Sequence, residues 1–344
     1  MDSLTQAVLG AGIQGALLGR HQGRKALLYG ALLGSLPDLD VVISYADPVS
    51  AMTHHRGFSH SVFVLTGVAL AATWLIRKAW PHAQYGTGRL LLALWLVLIT
   101  HPLLDAFTSY GTQLLWPWKP VPQSWSSLFI IDPAFTVPLL AAVAGGAIFG
   151  LKNGAPRWLA WTLGYCVAYI AFSLAGKALA EHRVTQALRD QGVRADAVFS
   201  SPMPLNTLLW RVVVRDGDAY YEAVSGWFDR KAPESVRLPL NRGLSAALAG
   251  SPQYARLDWF TGGWLRHDEI DGHLVVTDLR MGIAGHYTFR FVMGERDDTG
   301  TWRAVTPYRW PSYRGGWPQL RRVAARIGGG DPLPLEQWAQ GALR

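Results

Sequence analysis

Three short stretches of this 344-residue sequence place imidazoles and carboxylates among apolar neighbours: Leu36-Pro37-Asp38-Leu39-Asp40, His54-His55-Arg56-Gly57-Phe58-Ser59-His60 and His101-Pro102-Leu103-Leu104-Asp105. Ionisable side chains at the edge of apolar helices are costly, and they usually face a polar cavity or one another. His101 and Asp105 are spaced i, i+4, which on a helix sets an imidazole and a carboxylate one turn apart on one side. Pro102 fits if that turn is irregular or opens a helix. His55 and His60 stand at the entry of another helix, with Ser59 available as a cap or as a partner to an imidazole. Singly, each stretch has a plain use: an interhelical contact, a cap and turn, a hydrogen-bonded loop. Together they form a nitrogen and oxygen donor set, which suits Zn²⁺, Mn²⁺ or Fe²⁺ better than Ca²⁺ or Mg²⁺.

The elements that must position these groups are apolar runs of roughly membrane-spanning length, about 17 to 25 residues. They cover Ala26 to Ser44, Phe58 to Ile76, Leu90 to Phe107, Pro133 to Leu151 and Trp158 to Ala178. A shorter run, Leu4 to Gly19, carries Gly10, Gly12, Gly15 and Gly19 and reads as a buried or slightly short span with a small-residue packing surface. The opening Met1-Asp2-Ser3 has no basic leader, so this first helix is expected to be retained. The fold expected is an α-helical polytopic membrane domain of about five to six transmembrane helices over residues 1–180, followed by a small β-rich soluble domain over 181–344.

The charge pattern gives that architecture an orientation. Residues 1–178 hold no Glu and only six Asp, and the first Glu is Glu181. Arg20, Arg24 and Lys25, then Arg77, Lys78 and Arg89, then Lys152 and Arg157 fall in alternate loops. The positive-inside rule makes those loops cytoplasmic. The Asp38, His60 and Asp105 ends of the helices, the loop Trp116 to Ile131 and everything after Ala178 then lie outside, in the periplasm of a bacterium. Trp116, Trp118 and Trp125 read as an interfacial belt or as a lid. The net charge of +8 is scattered through loops and forms no stripe, which excludes a nucleic-acid footprint. Cys166 is the only cysteine, so a disulfide framework and a thiolate zinc site are excluded too. Past Glu181, short β-type runs (Leu208 to Val214, Ala219 to Val224, Leu274 to Thr277, Tyr287 to Val292) alternate with Asp216-Gly217 and Asp271-Gly272 turns. Asp278 and Arg280 there read as a structural pair.

With these residues in view, the sequence resembles the bacterial membrane-bound metal-dependent hydrolases described as regulated by the SOS repressor LexA. The likeness rests on Met1-Asp2-Ser3-Leu4-Thr5-Gln6, Gly34-Ser35-Leu36-Pro37-Asp38-Leu39-Asp40, His55-Arg56-Gly57-Phe58-Ser59-His60-Ser61 and the His101 to Asp105 stretch, and extends to Asn206-Thr207-Leu208-Leu209-Trp210-Arg211 and Thr277-Asp278-Leu279-Arg280-Met281-Gly282. The His101/Asp105 pair is also similar to a ligand pair of zinc-dependent phospholipase C and P1-type nucleases, which hold three metals. Gln6 stands where many relatives have a His, and no later His or Glu of the membrane half completes a trinuclear set, so one or two ions are implied. The resemblance implies a hydrolase with zinc, or manganese, bound by Asp40, His60, His101 and Asp105. His55 and Asp38 are then further ligands, or general base and orienting group, and Arg56 either grips an anionic substrate group or meets a lipid headgroup. A site at the outer face favours a lipid or an envelope ester or phosphoester in contact with the bilayer. The alternatives are a non-enzymatic scaffold whose closed His/Asp cluster locks helices, and, ranked last, a transporter.

Overall fold

The computed structural model describes residues 1–151, 156–313 and 315–341, so Lys152 of the third basic loop lies outside the described residues. The chain divides into two compact units: Met1–Ile43 with His55–Trp125 and Phe129–Phe172, and Ser44–His54 with Ser126–Leu128 and Ser173–Arg344.

The first unit is helical. α1 (Ser3–Gln22) is capped by Asp2, whose carboxylate accepts from Thr5 N, and it packs against α2 (Lys25–Gly34), α5 (Thr87–Ala106) and α6 (Pro133–Phe149). α4 (Val62–Ala79) packs on α5, and α7 (Pro156–Asp190) runs from this unit into the second. Among the described residues, three helices are long and apolar enough to cross a membrane: α4, α5 and, over Arg157–Asp190, α7. That is fewer than the five to six expected from hydropathy. The expected span Ala26 to Ser44 breaks because Pro37 has no N–H to give Leu33; Leu36 N turns to Leu33 O (3.2 Å) and the chain tightens into a 3-10 turn over Pro37–Val42. α2 is therefore only ten residues long, and α6, with 17, is also short. α1 has the length, but most of its residues are buried against its neighbours.

Glycines set how closely α1 and α2 approach. A Cβ on Gly10 would run into the carbonyl oxygen of Gly30, one on Gly30 into that of Gly10, and one on Gly34 would lie 2.9 Å from the carbonyl oxygen of Gln6. The two backbones thus touch, as small-residue surfaces allow.

The second unit carries α3 (Pro48–His54) and two antiparallel meanders, β1 (Ala197–Pro202) to β4 through β2 (Leu209–Asp216), β3 (Ala219–Gly226) and β4 (Glu234–Pro239), and β5 (Leu265–Ile270) to β8 through β6 (His273–Asp278), β7 (Arg290–Arg296) and β8 (Trp302–Arg309). Asp271 and Gly272 both have positive φ (50° and 76°) in the β5–β6 turn, the conformation that an Asp-Gly hairpin requires. α8 (Pro252–Thr261) receives α3, with Arg256 Nε on Thr53 Oγ1 at 2.6 Å, and α9 (Trp317–Ile327) and α10 (Leu335–Gly341) follow the strands. Inside, Arg211 forms a two-pronged pair with Glu222 (2.9 and 3.0 Å), which also accepts from Tyr287 Oη. Burial, reinforced by the Glu222 charge, pushes the Tyr287 phenol well above its usual range. Arg280 pairs with Asp278 at 2.8 Å, the structural role expected.

Replacing Gly30 by Ala should separate α1 from α2 and destabilise the protein by about 1–3 kcal/mol, as overpacking does. Gly67→Ala, on α4 with open space around it, should be neutral or slightly stabilising. Thermal unfolding in detergent compares the two; equal midpoints would contradict the close-packing account.

Candidate metal centre

His101 and Asp105 lie one turn apart on α5, with Pro102 accommodated inside the helix, and both side chains are buried. His60 ends a 3-10 turn, Phe58–His60, whose following residue Ser61 caps α4 through Phe63 N and Val64 N. Asp38 and Asp40 share the Pro37–Val42 turn. With three residues per turn, positions i and i+2 point about 120° apart. The two carboxylates therefore serve different neighbours.

Asp38 Oδ1 lies 3.4 Å from His60 Nε2 and 3.3 Å from His101 Nε2. Asp105 Oδ2 lies 3.3 and 3.6 Å from the same two nitrogens, which are 3.2 Å from each other. One donor atom from each of Asp38, His60, His101 and Asp105 falls within 4.8 Å of all the others, a grouping that could hold a metal ion. Asp40, expected among the ligands, sits on the opposite edge of the His60 ring, 3.8 Å from Nδ1. It accepts from His55 Nδ1 (2.8 Å), Arg56 N (3.0 Å) and Ser59 Oγ (2.8 Å). The structure thus groups Asp38, expected as a further ligand or an orienting group, with the two imidazoles, and sets Asp40 in an orienting position.

The hydrogen bonds fix the tautomers. His101 Nδ1 meets the carbonyl oxygen of Gly34 at 2.6 Å, and a carbonyl only accepts, so Nδ1 carries the proton. Ser59 donates its hydroxyl to Asp40 and accepts from His60 Nδ1 at 2.9 Å. With Nδ1 so engaged on both rings, the two Nε2 atoms turn toward each other and toward two carboxylate oxygens, the face from which histidine binds metals. Asp105 Oδ2 is buried and accepts no hydrogen bond. Two imidazole nitrogens and two carboxylate oxygens around one point could hold a divalent cation.

The surroundings hold this cluster from behind. Asp105 Oδ1 meets the Met1 amino nitrogen and Gln6 Nε2 (3.1 Å), and Gln6 also donates to His101 O (3.1 Å). Sequence reasoning gave Gln6 no such part, although it stands in the opening motif where many of the resembling proteins have a His. Arg56 was expected to meet an anionic group. Instead its side chain is 4 % exposed and turns inward at φ 60°, with Nε 3.2 Å from Asp105 Oδ2, Nη1 on Thr108 Oγ1 and the guanidinium over Tyr110. His55 is part-exposed, its Nδ1 held by Asp40. Among the four clustered residues only Asp38 reaches the surface, at 19 %.

A family model described as YdjM inner membrane protein matches residues 1–180. The uncharacterized protein YfhP of Bacillus subtilis is 26% identical over 314 residues, spanning 84% of this chain and 89% of that protein. The inner membrane protein YbcI of Escherichia coli is 35% identical over 98 residues, 28% of this chain and 55% of that protein. No solved structure matches significantly. These names place the likeness at an inner membrane and go no further toward LexA regulation, a metal or a reaction.

Protein purified without chelator and offered zinc or manganese should carry metal by elemental mass spectrometry, and His101→Ala and Asp105→Ala should lose it. Asp40→Asn should keep a site of about 10–100-fold weaker affinity, the usual effect of removing a group that orients a ligand. Wild-type protein that stays empty would leave the cluster a helix-locking polar contact.

Proposed function

This chain belongs to the YdjM inner membrane protein family, and on that premise we propose that it is a multi-pass, metal-dependent hydrolase of the inner membrane. It acts at the outer face on a lipid or envelope ester or phosphoester, with its chemistry in residues 1–180 and the β-rich part, residues 181–344, in the periplasm. The observation that supports this reading is the convergence of four acceptor atoms, three of them sealed from solvent and one, on Asp38, at the surface. A closed structural site fills its coordination with four protein ligands, so a catalytic one needs an opening, and Asp38 is the side of this cluster that reaches the surface.

Zinc or manganese held by Asp38, His60, His101 and Asp105 supplies Lewis acidity, lowering the pKa of water and polarising a carbonyl or phosphoryl oxygen. The chain's own residues do the rest. Asp40 holds His55 through Nδ1, which leaves His55 Nε2 free to take a proton from water at the part-exposed edge and return it to the leaving group. Through Ser59, Asp40 also fixes the ring of His60. Arg56 sets a positive charge beside the buried carboxylate of Asp105. Because Arg56 is spent on that contact, the substrate's anionic group must be met elsewhere.

The alternative of a closed scaffold has two observations in its favour, the full burial of His60, His101 and Asp105 and the count of four protein ligands. Cobalt substitution separates the readings. An open position predicts that azide or phosphate shifts the cobalt absorption bands and that His55→Ala lowers hydrolysis of bis-p-nitrophenyl phosphate while cobalt binding persists. A cobalt spectrum indifferent to added anions, with no turnover of that diester, would establish the scaffold.

A further inference from the structure

We propose that the substrate is a membrane lipid that reaches the metal centre sideways, from within the bilayer, across the 3-10 turn Pro37–Val42. This rests on the hydrolase reading and narrows its substrate to an acyl-chain amphiphile, excluding a water-soluble envelope polymer.

The turn that carries the surface-reaching ligand is itself apolar. Asp38 is followed by Leu39, 58 % exposed, and Asp40 by Val41, Val42 and Ile43, at 67, 76 and 44 %. A six-residue turn with three large aliphatic side chains outward, and a fourth on the residue that follows it, would in water be a liability. The two acids point inward while every side chain between and after them points out. Asp38, the ligand at which a substrate must arrive, therefore opens into an apolar rim.

That rim continues into a lipid-facing surface. Ser59 on the next 3-10 turn donates to Asp40, so its neighbour Phe58, half exposed, stands beside the Pro37–Val42 turn. Phe58 meets Trp116 edge-on at 6.2 Å, and Phe63, in the first turn of the span α4, meets Trp118 at 5.1 Å. Trp and Phe in this position belong at the headgroup level of a bilayer. The other edge of the site is polar, formed by His55, Ser59 and Asp40. One apolar edge and one polar edge on either side of a metal-binding cluster match an ester of a lipid, with the chains against Leu39 and Val42 and the headgroup toward His55.

Single-cysteine variants Leu39→Cys and Val42→Cys, each made in a Cys166→Ala background, would be labelled with bimane and reconstituted in phosphatidylethanolamine–phosphatidylglycerol vesicles. Lipid brominated in its acyl chains should extinguish the emission of both labels, and aqueous iodide should not. Quenching by iodide alone, or by neither agent, would overturn the proposal, since the turn would then face water or be covered by protein. In a second arm, zinc-loaded Leu39→Asp should retain its zinc by elemental analysis but lose turnover of vesicle phosphatidylglycerol relative to wild type, which cleaves both that lipid and soluble bis-p-nitrophenyl phosphate; lipid turnover equal to wild type also overturns it. Wild-type protein that cleaves neither substrate defeats the hydrolase reading instead, and the quenching arm still decides the route.

Discussion

His60 Nε2 and His101 Nε2 face each other at 3.2 Å, with carboxylate oxygens of Asp38 and Asp105 close to both. One of those oxygens, Asp105 Oδ2, is buried without a hydrogen-bond donor, and a buried acceptor in that condition costs about 1–3 kcal/mol. A cation, whether a proton on an imidazole or a metal ion at the common point, offsets that cost. Much of the first unit can be understood as shaping that point: Arg56, Gln6 and the Met1 nitrogen stand behind Asp105, and Ser59 and the Gly34 carbonyl each accept a hydrogen bond from an imidazole Nδ1, which turns Nε2 inward.

The Gly34 carbonyl can do this only because of how α1 and α2 meet. Backbone contact through Gly10, Gly30 and Gly34 draws the last turn of α2 against α1, and α1 packs in turn on α5, which carries His101. Past Gly34, Pro37 breaks the α-helical pattern and starts the tighter turn that delivers Asp38. The tautomer of one histidine is thus set by helix packing, and the position of one carboxylate by where a proline stops a helix. Side chains larger than hydrogen at the three glycines would move both.

Residue type and spacing alone identified the histidines, the aspartates and their convergence, because acids are so scarce in the first 178 residues that each stands out. Hidden from the sequence was the phase of the Pro37–Val42 turn. An Asp-x-Asp pair shares one face on a strand, lies 200° apart on an α-helix and about 120° apart on a 3-10 helix, so which acid faces His101 depends on a backbone choice that hydropathy does not encode. Arg56 turned inward for a similar reason, a left-handed backbone in a non-glycine residue. The number of spans was overcounted because hydropathy does not show that the helix of the Ala26 to Ser44 run stops before Pro37, at ten residues, or that α6 stops at 17. The strands were more legible, since Asp-Gly turns punctuate them in sequence as they do in space.

The division between the two acids of that turn also separates two functions that are often merged in one residue. Asp40 is committed to three donors and orients both His55 and His60, so it cannot swing without disturbing the site. Asp38 approaches the two imidazoles and is the cluster member at the surface, so it is held by fewer contacts than Asp40. Placing them on one short, proline-started turn couples these behaviours: the fixed acid anchors the turn, and the freer one meets whatever enters. Since the side chains between and beyond them are aliphatic and exposed, the medium that touches the freer acid is set by the same six residues that place it.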